Sequence, residues 1–462
     1  MSSVLTWTRA AESRVASRRL RELQASHHAM WNYVTYRDAI GIVGLDPDEL
    51  YPGGTTRLPA DWTDLGWLTC FCGPPESAVA AMREAVSGDA LNHYTPDLIE
   101  PLRDAAADVL GRPRDDEFEV IGVEGAQAGV ALSLLAAIDP GDEVIVADPG
   151  YFHIPSAVIA AGGTPVPVPA GRASGFRLDP DAVAAAIGPR TRAVCLVDPG
   201  NPYGTLLERD ELAALADLAD RHGLLLVHDV THGALTIDPS SELVALPATR
   251  LTERAVATFS VSHCWGMAGA RIGFLAGPRA LMRGCLQLKA ALTRLNTNLV
   301  AQHGALAALR DPGYLPVAEQ AIRANLAHLE DTLAGIDGVE LAVRPRRGLA
   351  CAIEIDPAVT TAQELMVALF ARQVAVYPGD GLGDSIAATT VRLNLSAPDR
   401  GPLERLRSVL GDALDEAASG RWREPVAELL DGKGTPRALR VAAIVRRGAR
   451  SETILSSEEE NQ

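Results

Sequence analysis

The stretch Ser260-Val-Ser-His-Cys-Trp-Gly-Met-Ala-Gly-Ala-Arg-Ile-Gly-Phe-Leu-Ala-Gly277 decides how this chain is read. An apolar run, Ala255–Phe259, leads into it and a second, Ile272–Ala276, lies in its latter half; each has the length of a buried strand. Further out, short β-rich runs alternate with helical patterns. Strands are predicted at Phe118–Val123, Glu143–Ala147, Thr164–Val168, Ala193–Val197 and Leu224–His228. Between the last two, Arg209–His222 carries Leu212, Leu215 and Ala219 at helical spacing, and Gly223 supplies a C-cap. This alternation predicts an α/β fold around a mostly parallel sheet.

The 462 residues are enough for one large domain and a smaller one. The expected division is an N-terminal segment, 1–74; a large α/β domain, 75–300; a small C-terminal α+β domain, 301–420; and an extension, 421–462, whose last dozen residues are expected to be disordered. A long helical linker is expected around Met282–Arg310, and the small domain holds strand candidates Ala350–Ile355 and Val391–Leu395. A hydrophobic content of 47% excludes wholesale disorder. The formal charge of −17 argues against nucleic acid as partner, since phosphate binding needs a basic face. No apolar run has the length of a membrane span and no signal peptide opens the chain, so a cytoplasmic location is expected. Arg9, Arg14, Arg18, Arg19 and Arg21 lie in a helix-compatible stretch, read as a solvated surface helix because Glu12 and Glu22 dilute its charge. Among six scattered cysteines only Cys70 and Cys72 are close, too weak a pattern for a metal site, and none is expected.

Four segments carry the chemistry. In Val123-Glu-Gly-Ala-Gln a predicted strand enters a helix through a glycine, and the amides of Gly125, Ala126 and Gln127 at that helix N-terminus suit a phosphate. Downstream, a stretch from Gly141 ends in the aromatic Tyr151. The second segment is Asp198-Pro-Gly-Asn-Pro-Tyr-Gly204, the third Leu226-Val-His-Asp-Val-Thr-His232, and the fourth is the stretch quoted first. In order and spacing they resemble the class I/II aminotransferases, pyridoxal-phosphate enzymes of fold type I, and the resemblance runs from about Trp67 to Ala417.

The resemblance implies a large doubly wound domain, a smaller α+β domain, and a homodimer with its site near the subunit interface. It implies that Tyr151 stacks on the cofactor ring and that Asn201 bonds its phenolic oxygen. Asp229 would keep the pyridine nitrogen protonated, making the ring an electron sink. His232 stands where the family has a tyrosine near the phenolic oxygen. Ser260, Ser262 and Arg271 would hold the phosphate, the guanidinium bidentately. Arg392, in Thr390-Val-Arg-Leu-Asn-Leu-Ser396, would take a substrate α-carboxylate, and Tyr94 would reach the neighbouring subunit's phosphate site.

One position departs decisively. The family's Ser-x-Ser is followed by the lysine that binds the cofactor as a Schiff base, and here that position is His263. An imidazole forms no Schiff base with an aldehyde. The chain's two lysines, Lys289 and Lys433, lie on the following helix and in the tail, away from the expected pocket. Tyr203, Val230, His232 and Cys264 also depart from the family pattern, which reads as a pocket remodelled together. The leading expectation is an enzyme holding pyridoxal or pyridoxamine phosphate non-covalently. In it His263, with a pKa near working pH, is the general base for elimination, cyclisation or other carbanion chemistry on an amino-acid-like substrate in specialised metabolism. The alternatives are a catalytically inactive cofactor- or partner-binding pseudoenzyme and, third, a slow aminotransferase.

Overall fold

The computed structural model describes residues 61–86 and 92–434, with isolated positions at 17–19, 23, 439, 442, 443, 445 and 446. The expected N-terminal helix, apart from Arg18 and Arg19, and the final dozen residues lie outside the described residues.

A short strand, β1 (Thr63–Asp64), precedes helices α1 (Glu76–Ala85) and α2 (Glu100–Val109). The large sheet is built from β2 (Phe118–Val123), β3 (Glu143–Asp148), β4 (Thr164–Pro169), β5 (Thr191–Val197), β6 (Leu225–Asp229), β7 (Ala255–Ser260) and β8 (Gly273–Pro278). Its order is β2-β8-β7-β6-β5-β3-β4. Only β8 runs against its neighbours β2 and β7; the other pairs are parallel. The apolar runs reflect that position: every residue of β7 is buried, as expected for a strand covered on both faces. Helices α3 (Ala126–Ala137), α4 (His153–Ala161) and α5 (Arg209–His222) connect the parallel strands. Leu212, Leu215 and Ala219 of α5 are buried, and Gly223 closes the helix at φ 67°.

Beyond β8 the chain departs from the expected single linker helix. It forms α6 (Arg279–Leu292) and α7 (Leu299–Leu309), separated by six residues. Arg294 sits in the left-handed region (φ 77°), and the Asn298 side chain caps α7 by accepting from the Ala301 amide at 3.0 Å. Helical periodicity continues through the break, so the capping residue is the informative signal. Helix α8 (Tyr314–Leu333) then leads to β9 (Val339–Leu341), β10 (Ala350–Ile355), α9 (Ala362–Ala371), β11 (Val374–Ala375), β12 (Tyr377–Pro378), β13 (Thr390–Asn394) and α10 (Gly401–Ser419). Four strands make an antiparallel sheet of order β12-β13-β10-β9. Strand β1 pairs in parallel with β11, which ties the residues near 63 to this second unit.

Candidate active site

The carboxyl ends of β5, β6 and β7 converge, the usual place for a ligand in an open parallel sheet. At the entrance to α3, Gly125 has φ 97°, and a Cβ there would lie 2.4 Å from Arg271 Nη2. A Cβ on Gly273 would lie 2.7 Å from the Gly125 carbonyl carbon. Both glycines are therefore required to bring the arginine and the start of β8 onto the helix N-terminus. Arg271 donates to the carbonyls of Glu124 (2.7 Å) and Ala268 (3.1 Å). The Gly125 amide turns back to the Val123 carbonyl at 2.9 Å, so the outward amides are those of Ala126 and Gln127, the first two residues of α3. Gln127 Nε2 donates to the His153 carbonyl at 3.1 Å, while its Oε1 is buried without a hydrogen-bond partner. Ser260 is buried at the end of β7, and its Oγ accepts from the Ser262 amide at 3.3 Å.

Asp229, at the end of β6, is 5% exposed, and burial raises its pKa. The Thr231 amide (2.9 Å) and hydroxyl both donate to Oδ1. Among the described residues, none donates to Oδ2. His228, one residue earlier, points to the other face of the strand. Its Nδ1 accepts from the Leu246 amide at 3.2 Å, so the proton sits on Nε2, 3.4 Å from Asp198 Oδ2. Asp198 Oδ1 accepts from the Leu207 amide at 2.9 Å, which closes the loop carrying Asn201. Asn201 Oδ1 accepts from Arg392 Nη1 at 3.1 Å, and Arg392 Nη2 donates to the Gly66 carbonyl at 3.0 Å. The guanidinium lies 4.1 Å over the Tyr377 ring. Tyr151 completes the group; burial, then the Asp229 charge, holds its phenol above the usual range.

His263 Nδ1 meets the Leu68 carbonyl, and its ring centroid is 4.8 Å from that of His232. Burial pushes His263 down to about 4, helped by Arg392 and Arg271 and opposed by the Leu68 contact. This corrects the expectation of a pKa near working pH: the part-buried imidazole has lost hydration and faces two guanidiniums, and both favour its neutral form. His232 is pushed well below its ordinary value by burial, His263 and Arg392. Of the departures read as one remodelled pocket, only the two histidines face each other. Tyr203 packs in the core with its ring 4.2 Å from Phe176, and Val230 and Cys264 are likewise buried in the core.

Tyr94 is 77% exposed beneath Arg294 and takes no part in this protomer's site. Lys289 is 3% exposed and bound elsewhere, to Asp97 and to the carbonyls of Gly122 and Leu295. Among the described residues no cluster of three or more His, Cys, Asp or Glu could hold a metal ion, and no helix is long and apolar enough to cross a membrane. The sequence did not mark Leu68, which acts through its backbone, nor Tyr377, an aromatic whose partner lies on the adjacent strand. Thr231 was findable, since a hydroxyl two residues after an aspartate commonly bonds back to it.

The depressed histidine has a stability consequence. An unfolded His263 takes up a proton below its unperturbed pKa of about 6.5, whereas the folded one resists until about 4. The unfolded state thus binds more protons between these values, and stability falls as pH drops through that window. Urea unfolding of His263→Asn against the parent should show the gap shifting in the variant's favour by on the order of 1–2 kcal/mol from pH 7 to pH 5. An unchanged gap would mean the ring is solvated.

Residues 63–410 match the family described as aminotransferase class I and II. The chain belongs to that family. A probable aspartate/prephenate aminotransferase from Thermus aquaticus is 32% identical over 313 residues, 66% of this chain and 80% of the relative. An arginine–pyruvate transaminase from Pseudomonas aeruginosa is 33% identical over 310 residues, 65% of this chain and 77% of that one. Among solved structures, an aspartate aminotransferase double mutant from Thermus thermophilus superposes with a TM-score of 0.71 at 27% identity, covering 86% of this chain and all (100%) of that one. The fold is fold type I, and class I and II aminotransferases use pyridoxal or pyridoxamine phosphate. The residues present fit that group. The glycine cradle at Gly125 and Gly273 suits a phosphate, and the open Oδ2 of buried Asp229 suits a pyridinium N–H.

Proposed function

We propose that this chain is an aminotransferase-like enzyme that holds pyridoxal or pyridoxamine phosphate without a covalent bond and uses His263 as its general base. It would act on an amino-acid-like substrate by elimination, cyclisation or related carbanion chemistry. The observation that carries this reading is the His263 ring lying 4.8 Å from that of His232, at the position where the sequence resemblance puts the family's lysine. When bound, the cofactor supplies an electron sink that acidifies the bond to the substrate's α-carbon.

The chain's own groups have separable tasks. Ala126, Gln127, Ser260, Ser262 and Arg271 would bind the phosphate, Gly125 admitting Arg271 to the helix end. Asp229, with Oδ1 fixed by Thr231, would present Oδ2 to the ring nitrogen; its charge in a buried site needs that cationic partner. Asn201 and His232 would flank the phenolic oxygen, Tyr151 would cover the ring, and Arg392 would take the substrate carboxylate. Arg271 and Arg392 both depress His263. A phosphate or carboxylate seated beside them adds negative charge near the ring, which favours its protonated form and makes it a stronger base. Tyr94 would complete the site of a second copy in a homodimer, a role its exposure in the single chain supports.

The test is a spectral titration with each cofactor form, followed by borohydride reduction and intact mass measurement. Saturable binding without a lysine adduct is expected. A reduced adduct on Lys289 or Lys433 would overturn the non-covalent site, and failure of both forms to bind would favour an inactive pseudoenzyme.

A further inference from the structure

The carbonyl that meets His263 belongs to a segment gripped by one strand. Alternate residues of β13 and its extension, Arg392, Asn394 and Ser396, are 4%, 1% and 0% exposed, and all three reach the backbone of residues 65–71. Arg392 donates to the Gly66 carbonyl at 3.0 Å. The Asn394 amide donates to the Leu65 carbonyl at 2.8 Å. Its side-chain Nδ2 donates to the carbonyls of Trp67 (2.6 Å) and Thr69 (2.7 Å). Ser396 Oγ accepts from the Phe71 amide at 2.9 Å and lies 3.0 Å from the Thr69 carbonyl. The orientation of the Asn394 amide is settled by its other end, where Oδ1 accepts from the Ser396 amide at 2.8 Å. Trp67 and Thr69 therefore point their carbonyls toward β13, and Leu68, between them, points its own away, onto His263 Nδ1.

A carbonyl oxygen only accepts, so the ring nitrogen that meets it carries the proton. We propose that Asn394 and Ser396 are positioning residues that, by clamping the Trp67 and Thr69 carbonyls, hold His263 as the Nδ1–H tautomer with its lone pair on Nε2. The catalytic consequence rests on His263 being the base; the tautomer does not. A base must present a lone pair, and the wrong tautomer presents a proton instead. The same strand carries Arg392, so the proposed carboxylate site and the device that sets the base share one rigid element.

The experiment is a long-range proton–nitrogen correlation on the full chain with 15N-labelled histidine, the His263 signal being assigned by its loss in His263→Gln. The parent is expected to show the Nδ1–H pattern. Asn394→Asp sets a carboxylate against two carbonyls and should release the segment, giving mixed tautomers. Ser396→Ala should shift the pattern the same way by less, and it decides the matter if the aspartate variant does not fold. In Ser396→Ala, which adds no charge, the His263 midpoint should fall below about 4, because the loosened Leu68 contact is what opposes burial and the facing charges of Arg392 and Arg271, the neighbouring His232 ring being unchanged. Turnover should fall roughly tenfold or more in kcat with KM nearly kept. An Nε2–H pattern in the parent, or a parental pattern in every folded variant, would overturn the proposal. Unchanged turnover in His263→Ala would instead remove the base reading and leave the tautomer result standing.

Discussion

Replacing His263 by alanine is expected to lower turnover by about 10²–10⁴-fold while cofactor affinity changes only severalfold. The two halves of that expectation come from different parts of the site. The proposed phosphate cradle is Gly125, Arg271 and Gly273, and the proposed pyridine partner is Asp229, whose bonds are to Thr231. None of these is bonded to His263, whose hydrogen bond goes to Leu68. Removing the imidazole therefore takes away the proposed base and leaves the proposed cofactor anchors in place. A second consequence follows from charge: His263 is among the causes that depress His232, so His232 should titrate somewhat higher in the variant. Parallel binding and rate measurements check the first point. Equal losses in both would mean that the histidine holds the cofactor, and an unaltered rate would pass the base role to another group. Restoration of activity by added imidazole in the alanine variant would strengthen the assignment, because the small base then supplies the missing lone pair.

The central strands of the large sheet were legible because they are largely buried and therefore read as short unbroken apolar runs. Phe118–Val123 and Ala350–Ile355 were located to the residue, and Leu224–His228 was displaced by one toward Leu225–Asp229. Placement was legible where it follows from position in a strand, as with Asp229 at the end of β6. It was not legible where the decisive atom belongs to the backbone. Nothing in Trp67-Leu-Thr69 announces that the middle carbonyl reaches His263, since any residue there offers the same oxygen. Environment was equally hidden. Histidine at position 263 suggests a group near neutrality, and only burial with Arg392 and Arg271 nearby moves it to about 4. Tyr203 shows the opposite limit: a polar aromatic in a loop of functional residues turned inward to pack on Phe176.

Replacing Lys289 by methionine is expected to destabilise the fold by about 3–5 kcal/mol, the cost of removing one partner from a buried ion pair. The ammonium has three protons and meets three acceptors: Asp97 Oδ1 at 2.8 Å, the Gly122 carbonyl at 2.7 Å and the Leu295 carbonyl at 2.6 Å. These partners lie in the segment before α2, in β2, and in the break between α6 and α7, so one side chain joins three elements. Methionine fills most of the volume but leaves Asp97 6% exposed with its main counter-charge gone; Arg103, at 4.0 Å, is the remaining cation. Burial already raises the Asp97 pKa against the pull of Lys289, so in the variant the carboxyl should titrate higher still. Adding Asp97→Asn removes the orphaned charge and should recover part of the loss, whereas the two carbonyls stay unsatisfied and keep the double variant below the parent. Urea unfolding measures both steps. Cofactor titration of Lys289→Met, run below its unfolding transition, should match the parent. A lost or altered cofactor spectrum in the folded variant would show that this lysine reaches the pocket after all, and the non-covalent reading would fall with it.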